Sequence, residues 1–241
     1  MFGQYDIPVN VETGGCAIRV TEHDGAFLYH REAGGETAQK WILADRCRLL
    51  VNPVEPVNKP NELTQLLFIE FEKQVLVEPE KKKTVFATFP VEVGVFVSKT
   101  GEESEEGKLE VIDGFTLAGQ KLTLYGDPDN GQICRYWMSR VFPSMPETDP
   151  LREGVVEIEI SNGTDKWAEV TKTVLSAPHM KLYFSDRLVS MKVRMTITGE
   201  KSAETAFTDK PVEQGMQKSV ELYRVRKMAV LSTAFTMEHG L

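Results

Sequence analysis

The chain has 241 residues and a formal net charge of −8, and a chain of this length can bury a core without disulfides or metals. Its hydrophobic fraction of 41% and charged fraction of 27% are those of a folded globular protein and exclude a disordered one. The acidic balance opposes any binding that depends on releasing counterions from a phosphate backbone, so we expect no nucleic-acid partner.

Apolar and polar residues alternate in short segments bounded by Gly, Pro, Asn and Asp, which is typical of half-buried antiparallel strands. Asp24-Gly25 and Asn162-Gly163 each predict a hairpin turn. Pro211 predicts the start of a short helix over 211–218, and four glutamates in 100–107 predict a mobile hairpin tip. In chain order, we predict strands over residues 16–20, 27–31, 67–72, 84–89, 91–97, 109–112, 122–125, 133–138, 155–160, 167–175, 181–184, 188–197 and 220–228.

Many short strands with almost no helix predict an all-β fold, because each sheet has to bury its apolar face against another sheet. We expect two packed antiparallel β-sandwich units, immunoglobulin-like or jelly-roll-like. Residues 143–150 contain three prolines and no periodicity. We interpret them as the connection between an N-terminal unit over 1–145 and a C-terminal unit over 150–241.

The sequence also predicts the compartment. Residues 1–6 have neither a basic start nor an apolar run, which predicts that there is no signal peptide. No segment reaches the roughly 18 apolar residues of a membrane helix, so we expect no transmembrane segment. Cys16, Cys47 and Cys134 form no CxxC pair, which is typical of free thiols in a reducing compartment. We therefore expect a cytoplasmic protein.

Common catalytic and cofactor motifs are missing from the sequence. It contains neither of the phosphate-binding patterns GxxxxGK(S/T) and GxGxxG, nor HExxH, GxSxG or paired CxxC. Glu22, His23, Asp24 and His30 share one predicted hairpin, but such residues are typical of turns. We therefore predict no catalytic residue, no cofactor and no metal site, and we lean against an enzyme.

Residues 124–137 are the richest segment in polar and aromatic side chains. Their Pro-Asp-Asn-Gly stretch is typical of a tight turn, and the alternative is a polar and aromatic surface that binds a ligand or partner. Alternation places Arg135 and Trp137 on the face opposite Tyr136. Alanine at Arg135 and Trp137 is expected to reduce partner capture without unfolding the protein. The candidate binding residues are Asp127, Asp129, Arg135, Tyr136 and Trp137.

Four short patterns in the chain are distinctive. They are Phe2-Gly3, Pro90-Val91-Glu92-Val93-Gly94-Val95-Phe96, Leu124-Tyr125-Gly126 with Gly131 and Cys134-Arg135-Tyr136, and Gly154-Val155-Val156 leading to Asn162-Gly163-Thr164-Asp165. Together they resemble an archaeal family of uncharacterised proteins over most of the chain. The resemblance implies a cytoplasmic archaeal protein and transfers no catalytic residue, since the family has no assigned activity.

Three functions are open from the sequence. We favour a non-enzymatic binding or adaptor protein that acts through sandwich loops or edge strands. The second is an enzyme or small-ligand protein with a site between the two units, because pockets occur at such junctions. The third is a carbohydrate-binding module with stacking platforms at Trp41, Trp137 and Trp167. Exposed strand edges would also allow a homodimer.

Overall fold

The fold is taken from a computed structural model, in which residues 1–58, 62–99, 108–226 and 234–241 are described. The chain is almost entirely β, which confirms the predicted fold class. Helical structure in these ranges includes α1 (Leu222–Val225) and a 3-10 turn at Ala177–His179. The strands are β1 (Gly3–Asp6), β2 (Val9–Thr13), β3 (Cys16–His23), β4 (Ala26–Ala33), β5 (Glu36–Ile42), β6 (Cys47–Val54), β7 (Val57–Asn58), β8 (Glu62–Leu63), β9 (Leu66–Val77), β10 (Lys82–Pro90), β11 (Glu92–Lys99), β12 (Glu110–Thr116), β13 (Lys121–Tyr125), β14 (Gln132–Ser139), β15 (Glu153–Asn162), β16 (Ala168–Ser176), β17 (Tyr183–Phe184), β18 (Val189–Ile197), β19 (Ala203–Thr208), β20 (Gln217–Lys218) and β21 (Phe235–Met237).

The described strands form four larger sheets. Sheet I has the order β1-β6-β11-β12, and sheet II has the order β2-β3-β4-β5. Sheet III has the order β13-β14-β9-β16. Sheet IV has the order β10-β15-β18-β17-β20, with β19 pairing to β18 and β21 to β19. The short strands β7 and β8 pair separately.

Two sandwiches result from the packing of these sheets, as predicted. Sheets I and II enclose one core, with Ile18 from β3 and Val51 from β6 among its buried residues. Sheets III and IV enclose a second core, which includes Leu67 from β9 and Ile158 from β15. We call these the I/II sandwich and the III/IV sandwich. Two strand pairs, β9 with β14 and β15 with β18, are parallel, which the sequence analysis did not predict.

Both faces of the central strands of sheet I, β6 and β11, are buried. One face contributes to the core of the I/II sandwich, and the other packs against the chain at α1, where Leu222 joins Leu50 and Phe96 in a separate cluster. The strand predicted over 220–228 is therefore wrong where it is described, because a helix at this position places Leu222 on sheet I. The helix predicted over 211–218 is also wrong: these residues form turns and strand β20. Residues 100–107, the predicted hairpin tip, lie outside the described residues.

The two predicted hairpin turns have different outcomes. Asp24 and Gly25 have φ values of 49° and 79° and join β3 to β4, which confirms the first turn. Asn162-Gly163 does not form a hairpin, because β15 and β16 lie in different sheets. Instead, the buried Asn162 amide donates to the carbonyls of Val77 at 3.1 Å and Lys166 at 2.8 Å. It fixes the corner at which the chain leaves sheet IV for sheet III.

Residues 143–150 contain no strand or helix, but strand pairing crosses them. β9 pairs with β16 in sheet III, and β10 pairs with β15 in sheet IV. Both sheets of the III/IV sandwich therefore draw strands from each side of the predicted connection. The sheets do not divide at this segment, and the division into an N-terminal unit over 1–145 and a C-terminal unit over 150–241 stays a prediction.

A single residue separates the strands that carry the chain between the sandwiches. β10 of sheet IV ends at Pro90 and β11 of sheet I begins at Glu92. The Val91 amide between them donates to the carbonyl of Arg152 at 3.0 Å. Phe2 packs against both cores. These contacts fix sheet I relative to sheet IV. None of the helices in the described ranges has the length and apolar character to cross a membrane.

Gly94 and Gly114 face each other across β11 and β12, but their surroundings differ. A Cβ on Gly94 would lie 2.7 Å from Val54 Cγ1 and 2.8 Å from the Phe96 ring, whereas one on Gly114 would meet no atom within 4 Å. We expect Gly94→Ala to lower the free energy of unfolding by about 1–3 kcal/mol through overpacking. Gly114→Ala, the matched control, is expected to change it by less than about 1 kcal/mol. Denaturant unfolding measures both, and equal effects would contradict this packing.

Candidate functional site

Two adjoining clefts open at one end of the I/II sandwich. The first, about 530 Å³ in volume, lies between the β4–β5 hairpin, strand β12 and residues 116–120, and we call it the Arg31 cleft. The second, about 580 Å³, lies beside the Gly14-Gly15 and Gly34-Gly35 turns, and we call it the Cys16 cleft. The two share Ala33, Gly34 and Glu36 in their lining. Sites of this size accommodate small organic molecules.

A buried ion pair forms part of the wall of the Arg31 cleft. Arg31 Nε donates to Asp113 Oδ2 at 2.6 Å, and the Tyr29 hydroxyl donates to the same oxygen at 2.8 Å. Asp113 Oδ1 accepts the Gly114 amide at 2.8 Å, so both carboxylate oxygens have partners. The Arg31 guanidinium also lies 4.6 Å from the centre of the Phe115 ring. The pair joins β4 of sheet II to β12 of sheet I, and its two charges neutralise each other.

Two arginines hold residues 116–120, which line the Arg31 cleft. Arg152 Nη1 donates to the carbonyl of Leu117 at 2.8 Å. Arg135 Nη1 donates to the carbonyl of Gly119 at 3.2 Å. Because these two carbonyls accept hydrogen bonds from the arginines, the conformation of residues 116–120 is fixed without a ligand.

The titratable groups beneath the clefts are held in their protonated forms. Burial raises the pKa of the Cys16 thiol to about 11. Burial, together with the nearby charge of Asp113 and the hydrogen bond to it, raises the pKa of Tyr29 far above its ordinary value. A thiol that stays protonated at neutral pH is a poor nucleophile and a poor metal ligand.

Carboxylates dominate the charge around the two clefts. Glu12, Glu32 and Glu36 are exposed around the Cys16 cleft, and Glu36 and Asp113 line the Arg31 cleft. Arg31 is the one cation among the lining residues that the structure describes, and Asp113 neutralises it. The remaining field therefore favours a cationic or neutral ligand over an anion.

Arg135 is buried and does not contribute to a surface, contrary to the sequence-based interpretation. Its Nε donates to Glu92 Oε1 at 3.2 Å, and both side chains are 0% exposed. Its Nη1 also lies 3.4 Å from the carbonyl oxygen of Lys121. The Arg135 side chain is therefore paired with Glu92 of sheet I and does not reach solvent. Arg135 is an internal support that joins β14 to β11 and holds residues 116–120.

The other predicted binding residues point in different directions. Trp137 packs against the core of the III/IV sandwich, and its Nε1 donates to Thr88 Oγ1 at 3.0 Å. Tyr136 donates to Glu70 Oε2 at 2.6 Å, and this hydrogen bond, with burial, raises the pKa of Tyr136 to about 12. The structure therefore does not bring these side chains together with Arg135.

Asp127 and Asp129 are exposed in the turn after β13. The carbonyl of Asp127 accepts the Gly131 amide at 2.6 Å, which closes the predicted tight turn. Binding through these two aspartates stays a prediction. Across the part of the chain that is described, no group of three or more His, Cys, Asp and Glu side chains could hold a metal ion.

The three tryptophans do not form one platform. Trp41 is exposed on β5 of sheet II, and Trp167 is exposed just before β16 of sheet III. Trp137 is partly buried and donates a hydrogen bond to Thr88. A carbohydrate-binding module that uses all three as stacking surfaces is not compatible with these positions.

Sequence reasoning missed Arg31 and Asp113. The two residues lie 82 positions apart, and no local motif connects them. One signal was present: Arg31 has the same strand parity as the apolar Phe27, Tyr29 and Ala33, so alternation places it on the buried face of β4. A charged residue on a buried face needs a partner, and its position marks a polar network in the core.

The comparisons with known proteins identify a family and give no function. A family model described as a protein of unknown function (DUF432) matches residues 1–238, so the chain belongs to that family. No curated protein and no solved structure matches the chain. The resemblance to an uncharacterised family over most of the chain is thereby confirmed.

Breaking the buried Arg135–Glu92 pair is expected to destabilise the fold. Arg135→Ala should lower the free energy of unfolding by about 1–3 kcal/mol, because it leaves the buried Glu92 carboxyl group without its hydrogen-bond donor. The double variant Arg135→Met with Glu92→Leu should recover most of this loss, since it removes both buried polar groups. Denaturant unfolding measures both changes. Arg46→Ala, at an exposed site, is the control, and an Arg135→Ala variant as stable as this control would refute the supporting role.

Two buried carboxyls predict the pH dependence of stability. Burial raises the pKa of Glu92 to about 8, against the opposing charge of Arg135, and burial raises the pKa of Glu55 to about 7. Because both lie above the ordinary value of 4.5, the folded state retains protons that the unfolded chain releases. Their stabilisation is therefore complete below that value and is lost as the pH rises towards 8.

We expect the free energy of unfolding to fall from about pH 5 to about pH 8, and Glu92→Gln to make this fall shallower. Glu55→Gln should do the same over a lower range. Denaturant unfolding at several pH values gives the slopes. Identical slopes in the wild type and both variants would show that neither carboxyl titrates in this window.

Proposed function

We propose that this member of the DUF432 family is a non-enzymatic binding protein that holds a small organic cation in the Arg31 and Cys16 clefts. The observation that carries the proposal is the pair of adjoining clefts with carboxylates around their openings. Among the described lining residues the one guanidinium is that of Arg31, and Asp113 neutralises it. A ligand with a positive group would therefore lie beside the glutamates.

The apolar part of such a ligand has a surface in the same cleft. Phe115, Leu117 and Ala118 line the Arg31 cleft on the side of sheet I. Their positions are supported by the Arg152 contact to the carbonyl of Leu117. A molecule with an amine at one end and a short aliphatic or aromatic body matches this combination of charge and apolar lining.

Binding is better supported than catalysis at this site. An enzyme needs a nucleophile or base with a pKa near the working pH, and the pKa values of Cys16 and Tyr29 are raised away from it. Asp113 uses both oxygens within the wall. The raised pKa values and the hydrogen bonds of Asp113 support a preformed binding site and oppose the alternative of an enzyme.

We place this binding protein in the cytoplasm of an archaeon, as the family resemblance implies. The three cysteines support a reducing compartment, because Cys16, Cys47 and Cys134 are all free and buried.

The proposal is tested with three probes of equal length and different charge: diaminopentane, pentanediol and glutarate. We expect isothermal titration to show binding of the diamine, weaker binding of the diol and none of the anion. Glu12→Gln, at an exposed carboxylate in the lining of the Cys16 cleft, should weaken diamine binding about fivefold, the equivalent of roughly 1 kcal/mol for one nearby charge in water. Gly114→Leu should weaken all binding, because the new side chain enters the open space at the cleft lining.

Glu204→Gln is the matched control, since Glu204 is exposed on β19 and lies away from both clefts. It should leave diamine binding unchanged. If the diol binds as tightly as the diamine, the electrostatic argument fails. If the wild type binds none of the three probes, or if Glu204→Gln weakens binding as much as Glu12→Gln, the proposed site is wrong.

A further inference from the structure

Strand β13 carries an exposed apolar surface at the edge of sheet III. Leu122, Leu124 and Ile133 are 56%, 42% and 61% exposed. Leu124 lies directly opposite Ile133 in the β13–β14 pair, and Leu122 is two residues from Leu124, so all three side chains share one face. Three exposed aliphatic side chains on one face mark an interaction surface rather than an ordinary solvated strand.

The backbone of β13 is also open to pairing. The strand is terminal in sheet III and, within the described residues, no strand pairs with its outer side. Proteins protect such edges with charged side chains, prolines or bulges. Of these devices β13 has one lysine, Lys121 at its start, and its five residues contain no proline. An extended segment that adds to this edge would gain backbone hydrogen bonds and bury the leucines at the same time.

We propose that the segment that adds to this edge is β13 of a second copy of this chain, in an antiparallel pair centred on Thr123. The sequence Lys121-Leu122-Thr123-Leu124-Tyr125 is nearly symmetric about its central residue. A two-fold axis through Thr123 sets Leu122 of each copy opposite Leu124 of the other. A two-fold interface requires this kind of self-complementarity, because each residue meets the same surface from the opposite direction.

Charge complementarity supports the same arrangement. Lys121 is exposed at the start of β13, and Asp127 and Asp129 are exposed in the turn beyond its end. In an antiparallel two-fold pair, the start of each strand lies beside the end of the other. The lysine of each copy therefore approaches the aspartates of its partner, twice in the dimer. A strand with the same charge at both ends would repel its own copy in this arrangement.

A cysteine at the axis tests this pairing. In the proposed register the two Thr123 residues lie opposite each other with Cα atoms about 4.5–5.5 Å apart, which is within the range of a disulfide. We expect Thr123→Cys to form a covalent dimer under mild oxidation. Glu169→Cys is the control, because Glu169 is exposed on β16 at the opposite edge of the same sheet. The native cysteines are buried and do not compete.

Sedimentation velocity of the unmodified protein gives the association itself. We expect a weak dimer with a dissociation constant on the order of micromolar, since a five-residue edge makes a small interface. Leu122→Lys should weaken association about tenfold, a change of about 1.4 kcal/mol. Leu76→Lys should not, although Leu76 on β9 is 61% exposed and Leu122 is 56% exposed.

Three results would overturn the proposal. One is a protein that remains monomeric up to a concentration on the order of 100 μM. Another is equal cross-linking of Thr123→Cys and Glu169→Cys. The third is a dimer in which Thr123→Cys does not cross-link, which would assign the contact to another surface. These outcomes do not depend on ligand binding in the clefts.

Discussion

The buried pair between Glu92 and Arg135 is the contact on which the arrangement of the two sandwiches depends. Glu92 is the first residue of β11 in sheet I, and Arg135 lies in β14 of sheet III. Removing two charges from water costs several kcal/mol for each, so the net stabilisation from such a pair is small. The pair contributes more to geometry than to stability, because the 3.2 Å contact fixes the position of sheet III relative to sheet I. Among the residues that the structure describes, Glu92 Oε2 and Arg135 Nη2 have no hydrogen-bond partner, so the pair holds the sheets through few hydrogen bonds.

The same arginine connects the architecture to the candidate site. Its Nη1 reaches the carbonyls of Gly119 and Lys121, and these residues end the lining of the Arg31 cleft and begin β13. Arg31 and Asp113 hold another part of the lining in a similar way, with a neutral pair between sheets II and I. Each part is thus fixed by a buried arginine that is paired with a carboxyl group. A ligand would therefore meet the charges of the exposed glutamates rather than the charge of either arginine.

The sequence predicts strands well where one face is buried and the other is solvated. Alternation in β3, β4 and β9 follows from this one-sided burial. It fails at β6, because both faces of this strand are covered and residues 49–54 are all buried. It also fails at β5, where most side chains on both faces are exposed. Period-two patterns report which face a side chain takes and not what covers that face. Alternation placed Arg135 on the same face as Trp137. It gave no local signal for Glu92, the partner of Arg135, which lies 43 residues away in the sequence.

Local sequence patterns do not predict the clefts or the β13 edge, for a related reason. The Arg31 cleft is assembled from β4, β12 and the segment that leads into β13, and only the strand pairing brings these together. The β13 edge becomes visible once sheet order shows that nothing described pairs with it. Both features meet at residues 119–121, which Arg135 anchors. If β13 pairs with a second copy, the pairing restrains the end of the cleft lining as well. Arg135 therefore supports both the end of the cleft lining and the start of the strand proposed to pair.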